Sequence, residues 1–382
     1  MFEYIIIGAG LTGLVLAERI ANILNKKVLI IERRMHIGGN CYDYKTAEGL
    51  IVHNYGPHIF HTDYKEIFDY LSNFTDWQTY NHRVLVFIDG KKVPLPFNFN
   101  TLYQLFPIRL AIKLENKLIN KYKYGLKIPI LDLFKEDDED LKYLANYIYE
   151  KIYKNYTAKQ WALKPEEIDP QVTARVPIYL SRDDRYFTDK YQAVPKEGYT
   201  KIFEKMLNNT NIKVMLNTDL REVVSIDYER KKIYFMGQEF KHNFIFTGMI
   251  DELFNYKYGY LPYRSLELKF ETIEKKYFQE VAVVNYPNDY DFTRITEFKH
   301  IHPSTSEKTV ILKEYPKAYQ PNKEIPYYPV LKKENQEIYN KYLEEAEKLG
   351  NLILVGRLAE YKYYDMDDII KRALEIFEER LR

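Results

Sequence analysis

Apolar positions in this chain fall into short blocks that alternate between strand and helix periods. Tyr4-Ile5-Ile6-Ile7 is a continuous β-branched run and predicts a buried strand. Leu14 to Leu24 has helical character, and Lys27 to Ile31 predicts a second buried strand. Leu85-Val86-Phe87-Ile88 and Lys92-Val93 around Asp89-Gly90 predict a hairpin. Residues from about 101 to 165 read as helical. There Leu141, Leu144, Ala145, Ile148 and Ile152 recur at the spacing of one helix face. The acid run Glu136 to Asp140 just before them reads as a solvated loop that suits a helix N-terminus. Strand-like segments return at Lys213 to Leu216, Glu222 to Ile226, Lys232 to Phe235 and Phe244 to Gly248. Leu266 to Phe270, Val281 to Val284 and Thr309 to Lys313 predict a second sheet. Asn351 to Arg357 reads as a last buried strand and Asp367 to Leu381 as a closing helix, with no internal repeat.

Between the first strand and the first helix stands Gly8-Ala9-Gly10-Leu11-Thr12-Gly13. Gly8 allows a tight turn, Gly10 lets the backbone approach a pyrophosphate, and Gly13 lets the helix pack on the strand. Glu32 ends the second strand about 20 residues on, where a carboxylate accepts from ribose hydroxyls. Strand, glycines, helix, strand and acid together predict a dinucleotide seated on a helix N-terminus. Arg33 follows, then His36-Ile37-Gly38-Gly39-Asn40. That Gly-Gly pair resembles the extended FAD pattern of glutathione-reductase-like and amine-oxidase-like flavoproteins, so FAD is expected rather than NAD. Phe244 to Gly248 resembles the returning strand of an FAD domain.

Length and composition narrow the partners. A chain of 382 residues suggests two or three domains. Lys plus Arg (56) nearly equals Asp plus Glu (55), so no global field draws in nucleic acid or an anionic membrane. The first predicted strand begins at residue 4 and no apolar run has the length of a membrane span, so neither a signal peptide nor a membrane segment is expected. Cys41 stands alone, which excludes an intramolecular disulfide and a cysteine metal cluster. It reads as a packing residue, no metal is expected, and a reducing cytoplasm fits. The 37 tyrosines exceed what a core needs and suit a site that stacks on a base and donates hydroxyls to phosphate.

Beyond these patterns the chain resembles the UDP-galactopyranose mutase family along essentially its whole length. The motifs are Gly56-Pro57-His58-Ile59-Phe60-His61-Thr62, Asn155-Tyr156-Thr157-Ala158-Lys159-Gln160-Trp161 and Arg175-Val176-Pro177. Asp184-Arg185-Tyr186-Phe187, Gly198-Tyr199-Thr200-Lys201, Phe292-Thr293-Arg294 and Pro326-Tyr327-Tyr328-Pro329 follow, then Gly356-Arg357-Leu358-Ala359-Glu360-Tyr361-Lys362-Tyr363-Tyr364-Asp365-Met366. The resemblance implies an α/β fold in which a Rossmann-like FAD-binding domain carries an inserted helical domain and an antiparallel-sheet substrate domain. Residues 1–65, 196–250 and 335–382 are assigned to the first, 98–165 to the second, and 66–97, 166–195 and 251–334 to the third.

The resemblance also implies site residues. Arg175 and Arg294 match two arginines that clamp a diphosphate, and His58 a histidine beside the flavin. These three are the candidate catalytic residues. Tyr153, Tyr156, Thr157, Trp161, Tyr186, Asn285, Tyr328, Tyr363, Asp365 and His82 are the candidate substrate contacts, with Trp161 on a substrate-closing loop. Gly8, Gly10, Leu11, Thr12, Gly13, Glu32, Arg33, Gly39, Asn40, His58, Ile59, Gly248, Arg357, Tyr364, Asp365 and Met366 are the candidate cofactor contacts. His61 is left open between a site and a packing role. Asp365 has helix capping as its alternative. The closing helix points its N-terminus at the expected flavin, which favours an anionic reduced ring.

The implied activity is interconversion of UDP-galactopyranose and UDP-galactofuranose. Ring contraction proceeds through a covalent adduct between reduced flavin N5 and the sugar, without net redox change. A UDP-galactose-type substrate, NAD(P)H or another reductant, and a homodimer are the implied partners, in surface-polysaccharide synthesis. Pro57, Ala162 and Ile152 depart from common family residues and touch substrate fit. The same chemistry on UDP-N-acetylgalactosamine or a dTDP-6-deoxy sugar such as dTDP-fucose therefore stays open. An amine-oxidase-like oxidoreductase is the more distant alternative.

Overall fold

The computed structural model describes residues 2–161, 177–321 and 323–382. Five parallel strands form the first sheet, in the spatial order Ile212–Met215, Val28–Ile31, Tyr4–Ile7, Asn243–Phe246, Leu352–Leu354. Helices cover both faces, which explains why these strands read as unbroken apolar runs rather than alternating ones. Ile6, Ile30 and Ile245 pack towards the helices Leu11–Ile23, Tyr199–Met206 and Met366–Ile376. Ile5, Ile7, Leu29 and Ile31 face the opposite layer, which includes Tyr339 and Tyr342 of the helix Lys333–Glu347.

A seven-stranded sheet carries the other half. Its order is Tyr328–Pro329, Tyr263–Ile273, Thr309–Ala318, Arg294–Glu297, Val283–Asn285, Val84–Ile88, Lys91–Leu95. Every pairing is antiparallel except Val283–Asn285 with Val84–Ile88, so the expected antiparallel sheet is mixed at one seam. Val84, Val86, Ile88 and Val93 turn one face of the hairpin into a core shared with the helices Phe99–Leu105, Ile108–Lys121 and Glu139–Ile148. Glu136 of the acid run is buried against Lys121 and Tyr122 rather than solvated, but the run does start the last of these helices. Asp138 caps it by accepting from Asp140 N and Leu141 N.

Several expected elements shift. The strand expected at Glu222 to Ile226 begins only at Val224, because Asp219 and Glu222 form a reciprocal capping box that winds Leu220–Val223 into a helical turn. The stretch read as helical is interrupted by Lys127–Ile128, which pairs with Ile178–Tyr179. Val281 to Val284 becomes Val283–Asn285, and the closing helix is α-helical only over Met366–Ile376, with a wider turn at Phe377–Leu381. Among the described residues no helix is long and apolar enough to cross a membrane.

Candidate functional site

A cavity of about 590 Å³ runs from the glycine turn of the parallel sheet to the face of the mixed sheet. At its first end Gly8 has φ +103°, and a Cβ there would lie 2.2 Å from Thr247 Oγ1. Only glycine fits that turn. A Cβ on Gly13 would meet the Gly8 carbonyl oxygen at 2.1 Å, so Gly13 serves helix–strand packing and is not on the cavity wall. A Cβ on Gly39 would stand 2.9 Å from Gly10 Cα, so the two glycine loops touch without side chains between them. Gly8, Gly10, Leu11, Thr12, Gly39, Asn40 and Gly248 line the cavity.

Glu32 also lines it and is 6% exposed. Its carboxylate accepts from Ala9 N and Arg34 N, both at 2.8 Å, which pins the acid at the strand end. Arg33 reaches the wall with its guanidinium on Glu252, Nη2 to Oε2 at 2.6 Å. Arg34 is a residue that motif reading passed over. Its Nη2 donates to Asn40 Oδ1 at 2.9 Å and its guanidinium sits over the Tyr55 ring at 4.4 Å, while Nη1 is buried with no protein partner. An orphaned guanidinium N–H on this wall suits an anionic group. The glycine cradle, the pinned acid and this cation fit the diphosphate of a dinucleotide.

In the middle of the cavity lie His58, Ile59, Arg357, Tyr364, Asp365 and Met366. His58 Nδ1 is 2.9 Å from the Gly56 carbonyl oxygen. Burial, with the nearby Arg357 and Arg294 charges, pushes its pKa down to about 4, so the ring is neutral near pH 7. The helix Met366–Ile376 starts at this wall. Asp365 stands at its cap position without making a side-chain cap bond; its Oδ1 accepts from the Tyr363 hydroxyl at 2.9 Å. The capping alternative for Asp365 therefore gives way to a contact inside the site. Tyr363 stacks on Tyr328, centroids 5.6 Å apart, and Arg357 lies over Tyr328 at 5.1 Å.

The far end is built on the mixed sheet. Arg294, Asn285, Tyr156, Tyr186 and His82 line it with Tyr328 and Tyr363. Arg294 and Glu314 are direct partners on neighbouring strands, and Glu314 is 2% exposed. Burial works against the Arg294 charge, but the Glu314 carboxylate outweighs it and the guanidinium pKa is raised. Asn285 Oδ1 is buried with no partner in the protein. The His82 pKa is pushed by burial to about 3; its Nδ1 lies 3.2 Å from the Tyr80 hydroxyl, and its ring meets Tyr186 edge-on at 5.8 Å.

Two expected contacts are not on this wall as described. Tyr153 is 6% exposed within the helical core, and Thr157 is 8% exposed and does not line the cavity. A wider helical turn over Tyr149–Lys154 carries Tyr153 inward beside Ile152. Arg175 and the Trp161 side chain lie outside the described residues. Besides Arg34, motif reading missed Glu314 and Arg264. Burial lowers the Arg264 pKa to about 10, with the Tyr156 and Tyr328 phenols close enough to oppose it. The available signal was a charged residue in step with the buried positions of a strand, as Glu314 is two places after Leu312 in Thr309–Ala318.

A family model described as UDP-galactopyranose mutase matches residues 151–363. A second, for NAD(P)-binding Rossmann-like domains, matches residues 6–74. A UDP-galactopyranose mutase from Mycoplasma genitalium is 37% identical over 377 residues, covering 97% of this chain and 92% of its own. The chain belongs to the UDP-galactopyranose mutase family. This mutase is thus an isomerase of the sugar pyranose/furanose class, as the motifs implied. It is also 35% identical over 379 residues to a dTDP-fucopyranose mutase from Escherichia coli, covering 98% of this chain and 97% of that one. A crystal structure of reduced UDP-galactopyranose mutase shares the fold, with a TM-score of 0.71 at 17% identity over 100% of this chain and 96% of that one.

Proposed function

We propose that this mutase interconverts UDP-galactopyranose and UDP-galactofuranose with FAD as its cofactor, active in the reduced form. One observation carries the reading. A single cavity joins a glycine cradle of dinucleotide type to Arg294, Asn285 and a group of tyrosines. When bound and reduced, FAD supplies a nucleophilic nitrogen for the anomeric carbon of the sugar. The chain's own residues provide the surroundings. Gly8, Gly10, Gly39, Glu32 and Arg34 would hold the cofactor's adenosine and diphosphate. Arg294, with Arg175 by family resemblance, takes up the charge on the departing UDP. Tyr156, Tyr186, Tyr328 and Tyr363 offer hydroxyl donors to phosphate or sugar. His58, held neutral, and Asp365 line the same cavity and would face the cofactor and the sugar. With cofactor and sugar bound, these walls would limit water around the reacting carbon.

The test is incubation of dithionite-reduced protein with UDP-galactofuranose and chromatography of the products. UDP-galactopyranose should form, and fully oxidised protein under air should be far slower. Equal turnover in both states would remove the reduced-flavin reading.

Similarity to a dTDP-fucopyranose mutase nearly equal to that of the first relative supports a second reading, the same chemistry on a thymidine-linked 6-deoxy sugar. A diphosphate clamp is neutral to the base, so selectivity rests on base and sugar contacts such as Asn285 and His82. A kcat/KM tenfold higher for the thymidine sugar, about 1.4 kcal/mol of differential transition-state binding, would select it. An NAD(P)H-type reductant, a homodimer and a cytoplasmic role in surface-polysaccharide synthesis complete the proposal and rest on the family resemblance.

A further inference from the structure

The loop that carries His58 is anchored by a second histidine and, through it, by a third. His53 ends the strand Ile51–His53 and is 1% exposed; His302 follows the turn Phe298–His300 and is 5% exposed. The His58 backbone N–H donates to His53 Nδ1 at 3.0 Å. The two imidazoles meet Nε2 to Nε2 at 2.9 Å.

The proton positions follow from elementary chemistry. A backbone N–H can only donate, so His53 Nδ1 is bare. A neutral imidazole then carries its hydrogen on Nε2. That hydrogen points at His302 Nε2, which must accept, and His302 keeps its own hydrogen on Nδ1. A further proton on either ring facing the contact would set two N–H groups against each other. The surroundings agree. Burial lowers the His53 pKa well below the ordinary range, and that of His302 to about 4. Phe298 and Tyr199 pack on His53 at 5.5 Å and 5.6 Å between ring centroids. Among the described residues, the charged or titratable groups facing the pair are Asp43, Tyr199 and His58.

Asp43, His53 and His302 offer ligand atoms within 4.8 Å of one another, yet they do not suit a metal. The Asp43 carboxylate accepts from Tyr199 N at 2.6 Å and Thr200 N at 2.9 Å, which fastens the start of Tyr199–Met206. Both His53 nitrogens are already engaged. Two ligands at about 2.0–2.1 Å from a tetrahedral zinc would stand roughly 3.3 Å apart, further than these nitrogens.

We propose that His53 and His302 are positioning residues that hold the His58 peptide in one orientation through a fixed tautomer relay. Resting on the reading of the cavity as a flavin and nucleotide-sugar site, the relay ties two parts of that site together. His302 lies just beyond the strand Arg294–Glu297, which carries the diphosphate-side arginine. His58 lines the cofactor side. Pro57 lacks an N–H, so the His58 N–H is the first donor after Gly56 by which the loop can be fastened. With the main chain held by His53 and the His58 side chain held at the Gly56 carbonyl, the imidazole cannot swing away from the wall.

Imidazole-directed ¹H–¹⁵N NMR on the intact protein at pH 7 reads the relay directly. His53 should be the Nε2–H tautomer and His302 the Nδ1–H tautomer, both neutral at pH 7. His53 found as Nδ1–H, or either ring protonated at pH 7, would overturn the relay. Kinetics of reduced enzyme reads its consequence. His302→Phe keeps bulk but removes the acceptor, and should lower kcat about tenfold with KM within twofold and flavin content unchanged. His302→Gln returns an acceptor oxygen and should restore kcat to within twofold of wild type. Full kcat in the Phe variant, or equal loss in both variants, would show that acceptance by His302 is not what positions the loop. Wild-type protein that binds no flavin would sink the reading of the cavity instead, and the tautomers on the same sample decide the relay separately.

Discussion

Arg294 Nε stands 2.6 Å from Glu314 Oε1, on the neighbouring strand and directly opposite in register. The contact is an ion pair rather than an aligned hydrogen bond, since neither atom meets a partner at good geometry. A diphosphate competing for the same guanidinium would therefore displace little directed bonding while Glu314 keeps the cation in place.

Glu314→Gln should retain FAD and lower kcat/KM about 10- to 100-fold, because the arginine loses the charge that holds it at the wall. Steady-state kinetics on reduced enzyme checks this. Unchanged kcat/KM would mean that Arg294 needs no partner.

Arg294→Ala should cost on the order of 2–4 kcal/mol of transition-state stabilisation, roughly 30- to 1000-fold in rate, with flavin still bound. Arg294→Lys should recover only part, since an ammonium has no bidentate fork. The same pair of substitutions at Arg175 should behave alike if the family resemblance carries to that position.

Gly39→Ala should give protein that folds but purifies without flavin. Its Cβ would press on Gly10 Cα from a backbone with φ +55°, exactly where the two glycine loops meet. Absorbance near the flavin bands after incubation with FAD measures this, and a normal flavin content would show that the cradle tolerates a methyl group.

Stability should fall on mild acidification. His58 and His302 sit near 4 and His82 near 3, against an ordinary 6.5, chiefly through burial, and His53 is lowered in the same sense. The unfolded chain then takes up protons first. The stability these rings contribute is complete above about pH 6.5 and is lost as pH falls from there towards 4 and 3, at about 1.4 kcal/mol per pH unit for each ring. Buried Asp251, raised to about 6, and Asp43, Asp368 and His300, also raised, act oppositely, but less strongly than the four deeply buried imidazoles, to which a lowered His36 adds. Urea midpoints at pH 7 and pH 5 should show the drop; a higher midpoint at pH 5 would contradict buried neutral imidazoles.

The parallel sheet and its glycine cradle were legible because local pattern and tertiary role coincide there. Tyr4 to Ile7 could only be buried on both faces, and Gly8 could only turn. The far wall was legible only by motif, since Arg294 and Tyr328 are ordinary residues until strand pairing sets them side by side. Glu314 and Arg34 escaped because their role depends on partners 20 and 21 residues away in sequence or in other loops, as with Arg34 and Tyr55. The strand expected from Glu222 starts two residues later for the opposite reason. A two-residue hydrogen-bond exchange overrode the β-branched run Val223-Val224.

The strand Leu352–Leu354 closes the same sheet that Tyr4–Ile7 begins, with the mixed sheet and the helical layer encoded between them. On the ribosome, Tyr4–Ile7 emerges early but meets its second neighbour, Asn243–Phe246, only some 240 residues later, and that strand in turn waits for Leu352–Leu354. Pairing across that separation carries a large loop-closure cost, so it forms late and slowly. Nascent chains stalled before residue 352 should thus expose an unpaired edge of the cofactor half, the segment most prone to capture by chaperones or by other chains.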